Sequence, residues 1–287
     1  MPSKAELHYS MHRRGCVSVE VNSQQFVRVN CVHSQRLTDG IADTMAKLVS
    51  IFPALAAALI CSFSAAAAQL RVEPVLLEMN APAAAGTLTL RNDENREVTI
   101  QTRVLQWSQT DGKETLEPTT DVVASPPSVT LKPGADYVVR LVRVAKRPVQ
   151  GEEAYRVLVD QLPQLGRSQN RTVNLLIRQS IPVFFRAREL TQPSLTWSVA
   201  LEGGRVAVTG RNAGDERVKI TSLQLKDKAG ASMSFGRGLI GYVLGRSSMS
   251  WNLQNRPRGF GAGGSISVTA ETDKGPSHAI VDTPLRR

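Results

Sequence analysis

The chain has 287 residues, a formal net charge of +10 and 5% aromatic residues. Its basic residues are scattered and form no run of five or six like charges, so nucleic-acid binding receives little support. We favour instead a cleft in which a few of these basic residues bind an anionic group. Cys16, Cys31 and Cys61 all precede residue 69, and His278 is the one histidine after it, which excludes a disulfide framework and a Cys/His metal site from the remainder.

The stretch from Met45 to Ala68 has the pattern of an export signal. Lys47 supplies the positive charge, residues 48–63 are predominantly apolar, and Ala66-Ala67-Ala68 provides the small residues of a cleavage site. We therefore predict a signal peptide over 45–68. The apolar stretch is too short for a confident membrane span, which needs about 20 such residues.

Residues 1–44 precede this signal and allow two interpretations. They come from an upstream start chosen in error, with translation beginning at Met45, or they form an extended leader. We favour the first interpretation, because the segment shows no sustained periodicity. Its brief alternation of Val17, Val19 and Val21 cannot bury a core by itself.

From residue 69 onward the sequence predicts short strands separated by turns. Alternating apolar residues occupy 86–92, 97–107, 129–131, 137–142 and 155–162. Asp111-Gly112 predicts a tight hairpin, since glycine accepts a positive φ without a Cβ clash. About seven strands with turn signals roughly every ten residues favour an immunoglobulin-like sandwich.

The segment 172–186 closes this set and carries a row of apolar residues. Val173, Leu175 and Ile177 share one side of an extended chain, because successive side chains of a strand point to opposite faces. The pattern is compatible with two roles. The row faces the protein's own core, or it faces a partner.

A second all-β set follows a short linker at 187–193. Its predicted strands are 194–201, 205–209, 218–225, 241–244, 247–253 and 265–270. We therefore predict an all-β protein of two β-sandwich domains, 69–187 and 188–287, each of an ordinary domain size.

The sequence after residue 68 lacks the usual arrangements of catalytic residues. It has no Gly-x-Ser-x-Gly motif, and with His278 as its one histidine a Ser-His-Asp triad is not expected. The adjacent carboxylates Glu152 and Glu153 are better explained as a solvated pair than as a glycosidase pair. The sequence predicts a binding protein and no enzyme.

Several segments between residue 69 and about residue 253 resemble the periplasmic chaperones of the chaperone–usher pilus pathway. They are Ser125-Pro-Pro127, Leu131-Lys-Pro-Gly134, Val139-Arg-Leu141, Glu152 to Pro163 and Ile177 to Arg186. Pro74, Gln106-Trp107, Ser180 to Phe184 and Gly241 to Leu244 are similar to the archaic branch, whose clients resemble spore-coat-U-type subunits. Order and spacing make the resemblance specific.

The resemblance implies two immunoglobulin-like domains in a boomerang arrangement, located in the periplasm. Pilus subunits of this pathway lack their last strand, and strand G1 of the chaperone fills the gap, a known mode of strand addition. Val173, Leu175 and Ile177 fall on G1 as donor residues. The implied partners are pilus subunits and an outer-membrane usher, with no cofactor, no small-molecule substrate and no nucleic acid. Self-association that covers the donor strand remains open.

The family also binds the client's terminal carboxylate with basic residues in the cleft between the domains. The position of the family's G1 lysine holds Pro182 here, which moves the anchor elsewhere. Arg71, Arg140 and Arg178 are the candidates, because a guanidinium can bind a carboxylate through two parallel hydrogen bonds.

Two further residues match a pair that in the family forms an interdomain salt bridge. They are Arg186, at the end of G1, and Glu152, and the resemblance gives them a role in domain orientation. The alternative to a chaperone is a two-domain extracellular adhesin or pilus structural module. Such a module should carry a free N-terminal donor extension, whereas Gln69 leads almost directly into Arg71-Val72.

Overall fold

The computed structural model describes residues 9–12, 16–21, 25–30, 70–163, 176–262 and 264–283. The predicted signal peptide lies outside these residues. The described residues form strands, turns and loops, with no helix among them. Consequently, this part of the chain has no helix long and apolar enough to cross a membrane.

Three short strands lie before the predicted signal peptide. They are β1 (Tyr9–His12), β2 (Cys16–Val21) and β3 (Gln25–Asn30), and they form an antiparallel sheet in the order β1-β2-β3. Strand β2 contains the alternating valines noted in the sequence. The other two strands were not expected, since neither carries a sustained apolar alternation.

Ten strands form the N-terminal sandwich. They are β4 (Leu70–Glu73), β5 (Leu77–Asn80), β6 (Ala85–Asn92), β7 (Val98–Thr110), β8 (Lys113–Pro118), β9 (Val122–Ser125), β10 (Ser128–Leu131), β11 (Asp136–Arg143), β12 (Glu152–Gln161) and β13 (Arg178–Arg186). One sheet has the order β4-β6-β11-β9. The other has the order β10-β7-β12-β13-β5, with β8 paired to β7.

The chain passes between the two sheets at Pro74. Strand β4 pairs antiparallel with β6, whereas β5 pairs parallel with the end of β13. Proline has no N–H to donate to a ladder, so Pro74 separates the two pairings. The predicted hairpin is confirmed, because Asp111 and Gly112 have φ of 52° and 75° and join β7 to β8 through a two-residue turn.

Alternation decides which side chains enter the core of this sandwich. In β12, Tyr155, Val157 and Val159 are at most 1% exposed, and all three belong to the core cluster. In β13, Ile181 and Val183 belong to the same cluster. The intervening residues of both strands therefore point away from the core, to the outer face of the sheet.

Seven strands form the C-terminal sandwich. They are β14 (Leu195–Glu202), β15 (Arg205–Asn212), β16 (Val218–Asp227), β17 (Ser232–Val243), β18 (Ser248–Leu253), β19 (Ser265–Thr272) and β20 (Gly275–Asp282). The sheets have the orders β14-β15-β18 and β17-β16-β19-β20. Their inner faces bury a second core, which includes the fully buried Ile220 and Leu225.

The two sandwiches meet through a small aromatic cluster. Trp107 and Phe184, on the outer face of the N-terminal sandwich, pack against Tyr242 and Leu244. The rings of Trp107 and Tyr242 meet edge to face, with centroids 5.5 Å apart. Such pairs contribute about 1 kcal/mol beyond the area that they bury.

Strand β7 continues past the sandwich and bonds directly to the C-terminal sandwich. The buried amide of Gln109 donates to the Tyr242 carbonyl (2.9 Å) and accepts from the Leu244 N–H (2.9 Å). At the hairpin tip, Ser250 N donates to Gly112 O at 2.9 Å. A Cβ on Gly112 would lie 2.1 Å from Ser250 Oγ, so this approach requires glycine.

We expect Gln109→Ala to lower the free energy of unfolding by about 2 kcal/mol or more, because it leaves a buried carbonyl and a buried N–H unpaired. Gln106→Ala, an exposed site on the same strand, is the matched control and should change stability little. Urea unfolding of both variants measures the difference. Equal shifts would show that the Gln109 bonds add nothing to the contact between sandwiches.

Candidate functional site

Strand β13 presents an open edge. On one side it pairs with β12 along its whole length, from Arg178 to Arg186. On the other side β5 pairs with Val183–Arg186, and within the described part of the chain no strand is hydrogen-bonded to 178–182, although β3 lies near β13. The unpaired backbone groups of such an edge can accept a further strand.

The predicted donor row lies immediately before this edge. Val173 and Leu175 fall outside the described residues. Ile177 is half-buried and precedes β13, and its carbonyl accepts the Gln161 N–H at 3.0 Å, which continues the β12–β13 ladder by one residue. Counted along an extended chain, Ile177 is on the same side as the core residue Ile181.

The structure separates two of the three predicted anchor arginines from the outer face of the β12–β13 sheet. Arg71 lies on β4, is 55% exposed and pairs with Asp93 at 2.9 Å. The cavity of about 400 Å³ beside it also contains Glu73, Arg91 and Asp136, so acidic groups outnumber basic ones. Arg140 lies exposed on β11, in the same sheet as Arg71.

The third predicted anchor, Arg178, begins β13 beside the open edge. Its guanidinium bonds the carboxylate of Asp160, which is its cross-strand neighbour on β12. Asp160 Oδ2 also accepts from Nη2 of Arg103 at 2.6 Å and from its Nε at 3.2 Å. One nearly buried carboxylate thus has two guanidinium partners, which are 45% and 59% exposed.

Sequence analysis did not single out Arg156, although its environment is unusual. It lies on the outer face of β12, 8% exposed, with its guanidinium carbon 3.7 Å from the ring centroid of Trp107 and 5.8 Å from that of Tyr242. Its Nη1 is buried with no hydrogen-bond partner. Burial lowers the pKa of this guanidinium. The carboxylate of Glu114 opposes this effect electrostatically, but it is not bonded to the guanidinium. A buried cation that lacks a directly bonded carboxylate is costly.

Arg156 stands directly across the strand pair from Pro182. Neighbouring side chains on one face of an antiparallel pair lie about 5 Å apart. Position 182 of β13, where the resemblance implies a lysine, thus has no positive charge, but the position opposite it on β12 has one. The sequence contains part of the evidence for Arg156, since an arginine among the apolar residues of a predicted strand is unusual. It does not show that Pro182 is the neighbour of Arg156 across the sheet.

Arg186 and Glu152 face each other within one sheet, as register partners, with Nε and Oε2 3.5 Å apart. Each also reaches the C-terminal sandwich through a different residue. Arg186 bonds Glu216, and Glu152 bonds Arg217. The expected solvated position of Glu152 is wrong, since its side chain is 1% exposed at this contact. Burial raises the pKa of the Glu152 carboxyl, against the opposing charges of Arg217 and Arg186.

Two residues extend this interdomain ionic cluster at its ends. Glu78 on β5 also bonds Arg217, and Lys274 bonds Glu216 at 2.7 Å. The guanidinium carbon of Arg217 lies 3.6 Å from the ring centroid of Phe184, so the ionic and aromatic contacts are continuous. Among the described residues no group of His, Cys, Asp or Glu is arranged to hold a metal.

We expect Glu152→Ala to destabilise the contact between the sandwiches by about 3 kcal/mol or more, because it leaves the buried Arg217 short of its main counter-ion. Glu78→Ala removes the other carboxylate on Arg217, but at a site 41% exposed, and should cost less than about 1 kcal/mol. Calorimetric unfolding of the two variants tests the difference. Similar losses of stability in the two variants would mean that burial of Glu152 does not increase its contribution to the contact.

Comparison with known proteins connects this geometry to a family. No curated protein sequence matches the chain. Residues 69–191 match the family model of the pili and flagellar-assembly chaperone, PapD N-terminal domain. This range contains the whole N-terminal sandwich, including β13 and its open edge.

The fold is also that of solved chaperone structures. A chain of the CsuC–CsuE chaperone–tip adhesion subunit complex, from archaic Csu pili of Acinetobacter baumannii, is 22% identical, with a TM-score of 0.57 over 75% of this chain and 98% of that chain. The YadV chaperone is 17% identical, with a TM-score of 0.53 over 74% and 98%. A chain of the Salmonella enterica SafA pilin–SafB chaperone complex is 19% identical, with a TM-score of 0.50 over 74% and 96%.

These likenesses confirm the predicted all-β fold of two immunoglobulin-like sandwiches. The match over the first sandwich agrees with the motifs of 125–134, 152–163 and 177–186. Residues 69–191 thus have the features of the N-terminal domain of the pili and flagellar-assembly chaperones.

Proposed function

We propose that this chain is a periplasmic chaperone of the archaic branch, which binds pilus subunits by donor-strand complementation and delivers them to an outer-membrane usher. The observation that carries the proposal is the open edge of β13 over 178–182, directly after the apolar row of Val173, Leu175 and Ile177. An edge of this kind supplies backbone hydrogen bonds, and alternating side chains supply the apolar contacts.

The energetics favour such a complex. Burying a branched aliphatic side chain is worth about 1.5–3 kcal/mol, so three donor residues provide a substantial driving force before the costs of ordering are subtracted. A subunit that lacks one strand has an apolar groove of matching period. The client that we propose is a spore-coat-U-like subunit, in keeping with the archaic Csu chaperone among the similar structures.

Arg156 is the residue that we propose for binding the client's terminal carboxylate. It is buried, unpaired at Nη1 and adjacent to Pro182, where the family's lysine is absent. Arg71 already has Asp93 as a partner, and Arg140 lies on the opposite sheet of the sandwich, so we propose neither as the anchor. A client carboxylate would supply a hydrogen-bonded counter-ion, which Arg156 lacks within the described residues.

We expect Ile177→Glu to abolish capture of a co-expressed pilus subunit, because a carboxylate would have to enter an apolar groove. Leu176→Glu is the matched control, since Leu176 is 45% exposed and points to the other side of an extended chain. Co-purification from periplasmic extracts, with circular dichroism to confirm folding, provides the readout. Equal capture by both variants would contradict donor-strand binding, and polymers formed by the purified protein alone would favour a pilus structural module.

Arg156→Met separates binding from stability. Methionine retains an unbranched apolar side chain against Trp107 and removes a buried unpaired charge, so the thermal unfolding temperature should stay unchanged or rise. Subunit binding should weaken by about 30-fold or more, as expected for loss of a buried ion pair. Arg140→Met, at an exposed site, is the control. Undiminished binding by Arg156→Met would remove Arg156 from the binding site.

A further inference from the structure

The pairing of Asp160 with two arginines leaves one positive charge uncompensated. The side chain of Asp160 is 9% exposed and requires a cationic partner at that depth. Arg103 already provides two N–H groups to Oδ2, while Arg178 bonds Oδ1. Either arginine alone would satisfy the charge of Asp160, so one of them is available for another anion.

The position of the open edge of β13 indicates which of the two arginines can bind another anion. Asp160 pairs with Arg178 from β12, and within the described residues no strand is hydrogen-bonded to β13 at Arg178 on the other side. Arg103 lies farther from the edge, on β7, opposite Leu158 of β12. A strand added to β13 would therefore place one residue beside Arg178, on the same face and about 5 Å away.

We infer that Arg178 sets the register of the bound strand by pairing with an acidic side chain of the client, while Arg103 keeps Asp160 neutralised. The ligand group is a side-chain carboxylate on the strand that adds to β13, distinct from the terminal carboxylate assigned to Arg156. This inference rests on the proposed function. Register needs such a determinant, because a slip by one residue turns every side chain to the opposite face.

Two labelled peptides of alternating valine and threonine, identical except for a central Asp or Asn, test this inference by fluorescence anisotropy at low salt. We expect the wild-type protein to bind the Asp peptide about two- to fivefold more tightly, as for a partly exposed ion pair. Arg178→Gln should remove the preference. Arg103→Gln should reduce it, because Asp160 then depends on Arg178, and Arg140→Gln should retain it.

The outcomes separate this inference from the proposed function. Equal binding of the Asp and Asn peptides to the wild-type protein would overturn the role of Arg178 and leave strand addition intact. Loss of the preference in Arg140→Gln to the same degree as in Arg178→Gln would also overturn it, since overall charge would then be the cause. Binding of neither peptide would contradict strand addition at β13, and the inference with it.

Discussion

The pairing of β12 with β13 is the interaction on which the other features depend. Its inner face contributes Val157 and Ile181 to the core, and its outer face carries Arg156, Phe184 and the cross-strand pair of Asp160 with Arg178. Successive side chains of each strand point to opposite faces of the sheet, and the hydrogen bonds between the strands fix which residues are neighbours. The same ladder of hydrogen bonds therefore positions both the core residues and the proposed binding groups. The register of this strand pair therefore determines which groups of the proposed site share the outer face.

The charged residues on the outer face of this strand pair have two kinds of surroundings. At the contact between the sandwiches, Glu152 and Arg217 are both nearly buried and bonded to each other, so their desolvation is compensated within the molecule. Arg156 and Arg178 differ, since within the described residues the first is bonded to no carboxylate and the second shares its carboxylate with Arg103. Unbalanced positive charge is thus placed on the face beside the open edge.

Most of the fold was predictable, because strands such as β6 and β15 alternate cleanly and the turn at Asp111-Gly112 has a specific local signal. Strand β20 was missed, since it is an edge strand whose largest apolar residue, Ile280, is 71% exposed. The site was harder to predict. The Arg156–Pro182 neighbourhood depends on register between strands, which periodicity along one strand does not encode.

An open edge is also a hazard, because any exposed strand can pair with it, and β13 carries the usual protections. Pro182 has no N–H, Arg178 is charged, and the residues between them include the polar Gln179 and Ser180. The side-chain amide of Gln179 also donates a hydrogen bond to the Leu70 carbonyl at 2.6 Å. These features make unselective pairing unfavourable. In the complex that we propose, the partner brings apolar and acidic groups in matching positions, and this requirement restricts the edge to specific clients.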